Sequence, residues 1–265
     1  MDNNSALQKT IAYMKAHWPS EVKPEWQVNL EEYPVIAQTI LTDFTKNSTT
    51  SHHFVRIAGL SGSGKTTQIL PATEAYFEKR DLKPVLVAAR RFVEYHPHYQ
   101  EILDFYGERN LRKMTDEFSS IMMFLILHAL TKAGYDIILD VALLDPEVEQ
   151  ILLDFLNANH YEPLLLMIAT SPAVTEHFLK GRSWRHTQAT EAEFIRATKR
   201  ALKFYATSAP NMHIILWSVY DQPPIYDGPV KDCLMIFDDY SSRTTLPAPD
   251  DDVRRIAKIN YLMSI

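Results

Sequence analysis

Residues 59 to 66 read GLSGSGKT. The spacing G-x-x-x-x-G-K-[ST] suits one task, the holding of phosphate groups. A turn that offers several backbone N–H groups to an anion needs residues that accept unusual backbone angles and let the anion come close. Gly59, Gly62 and Gly64 meet that need, and Ser61, Ser63 and Thr67 complete the candidate cradle. A helix beginning at this point adds partial positive charge. Lys65 would reach the β- and γ-phosphates of a nucleotide, and the Thr66 hydroxyl would bind Mg²⁺. The cofactors implied are ATP and Mg²⁺.

Such a loop works only between a strand and a helix. FVRIAGL, from Phe54, is a short β-rich run, and Lys65 to Arg80 has a helical pattern. PVLVAA, YDIILDVALL, PLLLMIAT and MHIILWSV supply four more apolar runs. Helical stretches separate them: Thr115 to Gly134, one opening at Asp145-Pro146-Glu147, one opening at Ser171-Pro172, and one from the capping box Thr190/Glu193 through Thr207. Apolar runs that do not alternate, separated by helices, imply a mainly parallel sheet covered on both faces. The expected fold class is α/β, a P-loop NTPase of nucleotide-kinase type with an N-terminal helical extension.

That extension spans residues 1–50, and residues 51–265 form the kinase-like domain. Ser5 can cap a helix running to about His17. HWPSEVKPEW breaks the pattern. After Pro34 a second helix carries Val35, Ile36, Ile40, Leu41 and Phe44 as its apolar stripe. STTSHH reads as a linker.

A second carboxylate chemistry lies downstream. In DIILD three apolar residues lead to Asp140 at a strand end, a position that suits an acid holding Mg²⁺ directly or through water. Thr66 and Asp140 are therefore the candidate metal ligands.

Composition narrows the class. The chain has 265 residues, 46% of them hydrophobic, and a net charge of −6, which argues against a protein built to bind nucleic acid backbone. Its one cysteine, Cys233, excludes an intrachain disulfide. MDNNSALQKT has no signal-peptide core, and no run approaches the ~18 apolar residues of a membrane span. The expected location is the cytoplasm, with no membrane and no nucleic acid as partner.

Taken together, GLSGSGKT, then RRFVEYHPHYQEI, DFYG, TDEF, GYDIILD and LLLMIATSP resemble the zeta-toxin family of P-loop kinases. The HPHY element followed by Tyr106-Gly107 is the most distinctive part, and VYDQPPIYDG looks like the family's final strand. The resemblance runs from about Phe54 to Gly228. It implies an ATP-dependent kinase that phosphorylates a sugar nucleotide, chiefly UDP-N-acetylglucosamine, or a related nucleotide metabolite. It also implies a toxin restrained by a helical antitoxin that obstructs the ATP site. Residues 1–50 are placed to act as such a segment within the chain, or as plain scaffolding.

The resemblance breaks at the substrate site. Where the family carries a general-base Asp, this chain has Arg90; the family's following arginine is Val93; Val141-Ala142-Leu143 replace polar contacts. Arginine does not act as a base at neutral pH. Three readings stand: another carboxylate serves (Asp140, Glu94 or Asp104), a more anionic substrate is clamped by Arg90 and Arg91, or the domain binds nucleotide without transferring phosphate. Under the second reading Arg90, Arg91 and His96 line the substrate site. A polynucleotide 5′-kinase is a further option, disfavoured by the acidic balance.

Arg182 and Arg185 occupy the stretch where P-loop kinases place lid arginines that neutralise the transferring phosphoryl group. Together with Lys65 and Asp140 they are the expected catalytic residues. His96 and His98 straddle a proline and lack a third ligand; a turn that orients the substrate-side helix suits them better than a metal. Trp184 suits either stacking on a base or ordinary packing. Asp250 to Asp252 read as a solvated acidic cap.

Overall fold

The computed structural model describes residues 11–16, 20–59, 63–141, 146–169, 191–218, 224–241 and 251–265. Six strands form one sheet: β1 (His53–Gly59), β2 (Val85–Val87), β3 (Ile137–Asp140), β4 (Glu162–Ala169), β5 (His213–Ser218) and β6 (Tyr226–Pro229), in the order β2-β3-β1-β4-β5-β6. The first five run parallel, and β6 closes one edge antiparallel to β5. β1, which leads into the glycine-rich loop, sits centrally between β3 and β4.

Side chains do alternate across this sheet, although the strand sequences are uniformly apolar. Phe54, Val85, Val87, Ile137 and Leu139 face one side, with Ala58, Leu165, Met167, Ile214 and Leu216 beyond them. Val55, Ile57, Ile138, Leu166, Ile168, Ile215 and Trp217 face the other. Helices cover both sides, so neither set needs to be polar. Helices α1 (Glu32–Thr45), α5 (Asp116–Lys132), α6 (Pro146–Ala158), α7 (Glu191–Ser208) and α8 (Leu234–Ser241) pack on the first face. Helices α2 (Leu70–Glu78) and α9 (Asp251–Ser264) pack on the second. Two short helices, α3 (Tyr99–Tyr106) and α4 (Glu108–Met114), enclose a small separate cluster with Val22 and Val93.

The described part of the first fifty residues is built into the main core. Ile11, Met14, Val28, Tyr33, Ala37 and Ile40 are buried in the same cluster as Val85, Phe92, Phe118 and Met122. The apolar core therefore runs across residue 50 without a break. Of the expected α1 stripe, Ile40 is buried and Ile36, Leu41 and Phe44 pack against the core, whereas Val35 is 69% exposed and Tyr33 and Ala37 are buried as well. Spacings of three and four residues put 33, 37, 40 and 44 on one stripe, and Pro34 simply occupies the first turn.

The stretch read as a linker is also tied down. Asp136 is fully buried and accepts hydrogen bonds from the Thr49 hydroxyl and from the Ser51 and His53 backbone N–H groups, with the His53 ring nitrogen Nδ1 at 3.0 Å. The long helix α5 ends as anticipated, with Gly134 at φ 75°. The run PVLVAA is shorter as a strand than it reads. Only Val85 to Val87 pair with β3, and residues 89–91 then form a single 3₁₀ turn. Arg90 and Arg91 thus belong to a turn beyond the strand.

Candidate functional site

β1 brings the chain to Gly59 at φ +145°, where an added Cβ would lie 3.0 Å from Ser63 Oγ and 3.3 Å from the Ile168 carbonyl. Gly64 has φ +93°. Both positions require glycine, as the motif's spacing implies. Ser61 and Gly62 lie outside the described residues. After Gly64 the first turn, Lys65–Ile69, is a wide π-type turn that leads into α2. Gln68 N–H closes it on Gly64 O at 2.8 Å.

Lys65 folds back over the loop, donating from Nζ to the Gly59 carbonyl at 2.8 Å. An ammonium on a carbonyl at the loop's own start lies close to where phosphates would enter. The Ser63 hydroxyl is buried and has no hydrogen-bond partner among the described residues. Thr66 and Thr67 are exposed. A buried orphan hydroxyl, an ammonium and two exposed threonine hydroxyls, that of Thr67 lying 3.5 Å from the Gly64 carbonyl, form a polar cradle at a helix start that suits an anion.

Asp140 stands at the end of β3, in register with Ile57 of β1, two residues before Gly59. The parallel pairing therefore sets its carboxylate beside the strand that enters the loop. Its side chain is 2% exposed, and Arg90 Nη2 lies 2.7 Å from its Oδ2. The ordering β2-β3 explains this meeting, because the turn after β2 ends next to the end of β3. Arg90 is thus engaged with the candidate metal ligand. The other carboxylates weighed as bases differ from it: Glu94 is exposed, and Asp104 accepts from Gln100 Nε2 at 2.8 Å on its own helix.

Arg91 points elsewhere. Its Nη1 donates to the Leu86 carbonyl at 2.9 Å, and its guanidinium lies 4.4 Å from the centre of the Phe44 ring of α1. Phe44 also stacks on Phe92 at 5.8 Å, and the Tyr95 hydroxyl donates to Asp43 at 3.0 Å. Helix α1 therefore grips the whole turn that carries Arg90, and Arg91 takes part in that grip.

His96 is turned into the core. It is 4% exposed, its ring meets Phe118 edge-on at 4.7 Å, and its Nδ1 accepts the His98 backbone N–H at 3.1 Å. Burial, and next the neighbouring His98, push its pKa down to about 4. A neutral imidazole that accepts one bond and packs on a ring is a turn anchor in the core. The candidate lid residues Arg182 and Arg185, and Trp184, lie outside the described residues. Among the described residues no cluster of three or more His, Cys, Asp or Glu forms a metal cage.

One support of the loop went unread in the sequence. Arg56, three residues before Gly59, is buried and donates to Glu149 of α6 at 2.7 Å. The Tyr205 hydroxyl of α7 donates to the same carboxylate. Burial, reinforced by Glu149 and opposed by Arg56, holds the Tyr205 pKa well above its usual value. The signal was present: an arginine inside the apolar run FVRIAGL needs a buried anion somewhere.

An open groove on the outer side of α1, lined by Pro34, Val35, Gln38, Thr39, Thr42 and Asp43, includes none of these loop residues. No helix among the described residues is long and apolar enough to cross a membrane.

Comparison with known proteins bears on the fold and the family. A structure from the PezAT chromosomal toxin–antitoxin system of Streptococcus pneumoniae superposes with a TM-score of 0.64 at 18% identity, covering 91% of this chain and 99% of that one. A candidate kinase from Chloroflexus aurantiacus gives a TM-score of 0.40 at 12% identity, covering 82% and 95%. No curated protein is similar enough to count as a relative. The family model for zeta toxin matches residues 38–208, which spans β1 to β4, the loop, Arg90, Asp140 and all of α7. The chain belongs to the zeta-toxin family.

Proposed function

We propose that the protein is an ATP-dependent phosphotransferase of zeta-toxin type, moving the γ-phosphate of Mg-ATP to a hydroxyl of a nucleotide-sugar or related phosphorylated metabolite. The observation that carries the reading is the loop itself: Gly59 and Gly64 in glycine-only conformations, Lys65 folded across the loop mouth and Ser63 buried without a partner. Such a cradle binds the triphosphate, and Lys65 shifts from Gly59 O to the β- and γ-oxygens.

The residues present fit Mg²⁺. Asp140 offers a buried carboxylate oxygen with no aligned donor, and Thr66 an exposed hydroxyl, both hard oxygen ligands of the kind this ion takes. Mg²⁺ bound there would neutralise charge on the β- and γ-phosphates. Arg182 and Arg185 would add charge from the lid. Phosphoryl transfer depends chiefly on positioning and charge stabilisation, so the arginine at residue 90 need not abolish it.

A second reading has its own observation. Arg90 holds Asp140, and no carboxylate stands at the position where the family carries its base. This favours a nucleotide-binding module without transfer. One experiment separates the readings. ATP binding by calorimetry is paired with a product screen over UDP-N-acetylglucosamine, other sugar nucleotides, NAD and nucleosides. Transfer that disappears in Lys65→Ala supports the kinase; binding without any product supports the module; full turnover in Lys65→Ala removes both.

As a zeta-toxin family member with a structural neighbour from a toxin–antitoxin system, the protein would act as a toxin with a separate helical antitoxin as partner. The alternative inhibitor, residues 1–50, is less favoured, because its described part supplies core residues such as Tyr33 and Ile40. Deleting residues 1–50 should therefore unfold the protein; a folded, more active product would support the built-in inhibitor instead. The expected place of action is the cytoplasm, where ATP and sugar nucleotides are available.

A further inference from the structure

The two arginines of one turn are held in different ways. Arg91 is fastened by the Leu86 carbonyl and by the face of Phe44. Arg90 has one partner among the described residues, Asp140. That contact is a meeting of charges rather than an aligned hydrogen bond: Nη2 lies within 2.7 Å, yet no donor is aligned on the buried Oδ2. Exposure is also asymmetric, 2% for the Asp140 side chain and 43% for Arg90. The anion is fixed inside the protein, while the cation stands at its surface. A buried carboxylate requires a counter-charge; an exposed guanidinium does not.

We propose that Arg90 is a resident counter-ion that occupies Asp140 until a divalent cation replaces it, so that residue 90 sets how tightly the site binds Mg²⁺. The inference rests on the reading of Asp140 as the metal-binding carboxylate beside the phosphate loop. A guanidinium cannot lose its charge and spreads it over three nitrogens. Mg²⁺ concentrates two charges and sits about 2.1 Å from its oxygens. Both cannot occupy Oδ2. Exchange must separate Arg90 from Asp140, and the cost of separation lowers the apparent metal affinity. The geometry suits exchange. Arg90 can swing into solvent without disturbing Arg91, which keeps the turn in place. A released guanidinium then stands beside the loop, available to an anionic acceptor.

The test compares full-length wild type, Arg90→Gln and Arg90→Lys, each prepared metal-free. Mn²⁺ is titrated in the presence of ATP and followed by electron paramagnetic resonance, with Mg²⁺ as competitor. Arg90→Gln should bind Mn²⁺ about tenfold tighter, which corresponds to ~1.4 kcal/mol. Arg90→Lys keeps a cation and should stay within about threefold of wild type by the same relation. Mn²⁺ should raise the melting temperature of Arg90→Gln more than that of wild type. Equal or weaker Mn²⁺ binding by Arg90→Gln would overturn the proposal. So would an Arg90→Gln protein that fails to fold even with Mn²⁺ present, since residue 90 would then be structural. ATP titrated without metal distinguishes the levels of failure. If no form binds ATP, the reading of the loop falls and the counter-ion with it; if all bind ATP but metal affinity ignores residue 90, the counter-ion alone falls.

Discussion

Arg56, in the middle of the strand that feeds the phosphate loop, is ion-paired at 2.7 Å with Glu149 of α6, and their side chains are 3% and 0% exposed. Tyr205 of α7 donates to the other carboxylate oxygen. Three elements on one face of the sheet therefore meet at a single buried charge. Removing one partner of such a pair leaves the other charge buried and costs about 3–5 kcal/mol. Glu149→Ala should lose that much in urea unfolding at neutral pH. The double replacement Arg56→Met with Glu149→Leu removes both charges and should lose markedly less than Glu149→Ala alone. Equal losses would mean that packing volume, not charge, governs this junction.

Replacing Arg90 by Asp would restore the family's residue but set two carboxylates beside each other, because Asp140 is the group that Arg90 now holds. The variant should lose about 1–2 kcal/mol of stability at low salt, and less at high salt. Mg²⁺ should recover the loss. A gain of sugar-nucleotide phosphorylation in the same variant would show that residue 90 decides activity. Unchanged stability across salt concentrations would contradict the charge argument.

His96 makes stability depend on pH. Burial holds its pKa at about 4 in the folded protein, against 6.5 for the free side chain. The unfolded chain therefore binds a proton that the native state refuses. The contribution is intact above about pH 6.5 and shrinks as pH falls towards 4, and the accumulated loss levels off below that at roughly 3 kcal/mol. His96→Asn keeps an acceptor for the His98 N–H but does not titrate. Unfolding midpoints at pH 7 and pH 4.5 should differ less in this variant than in wild type; an identical difference would place the acid sensitivity elsewhere.

Gly64→Ala tests the loop conformation directly. At φ +93° a Cβ would lie 3.2 Å from Gln68 Nε2, on a backbone that L-residues avoid. A cost of about 1–2 kcal/mol follows from the backbone alone. Nucleotide affinity should fall by more than stability does, since the same N–H groups face the phosphates. A variant that binds ATP as wild type does would show that the loop rearranges before binding.

The loop and the strands were legible because their signals are local. Glycine spacing reports backbone angles, and apolar runs report a sheet covered on both faces. The partners of charged side chains were not local. Arg90 and Asp140 are fifty residues apart, and Arg56 and Glu149 ninety-three, so only the strand order β2-β3-β1 and the seating of α6 bring them together. Arg91 and His96 read as substrate ligands because they flank a distinctive motif. The structure turns one towards Phe44 and the other towards Phe118. Residue type and position in a motif did not tell which way each side chain faces along two successive 3₁₀ turns, 89–91 and 93–95. Val35 shows the same limit on α1: the helix was evident, its buried face was set by the neighbour.

Placing the loop strand at the centre of the sheet also orders events during synthesis. β1 is made early, but its neighbours β3 and β4 are complete only at residues 140 and 169. Helix α1, earlier still, buries Tyr33 against Phe118, which follows some eighty residues later. Neither can settle by local contacts alone, and non-local pairing is slow to form. The nascent chain thus carries its glycine-rich loop without a scaffold until β4 has been translated. For a member of a toxin family this means that the glycines of the loop wait for more than a hundred further residues, up to Ala169, before the strands that frame them are complete.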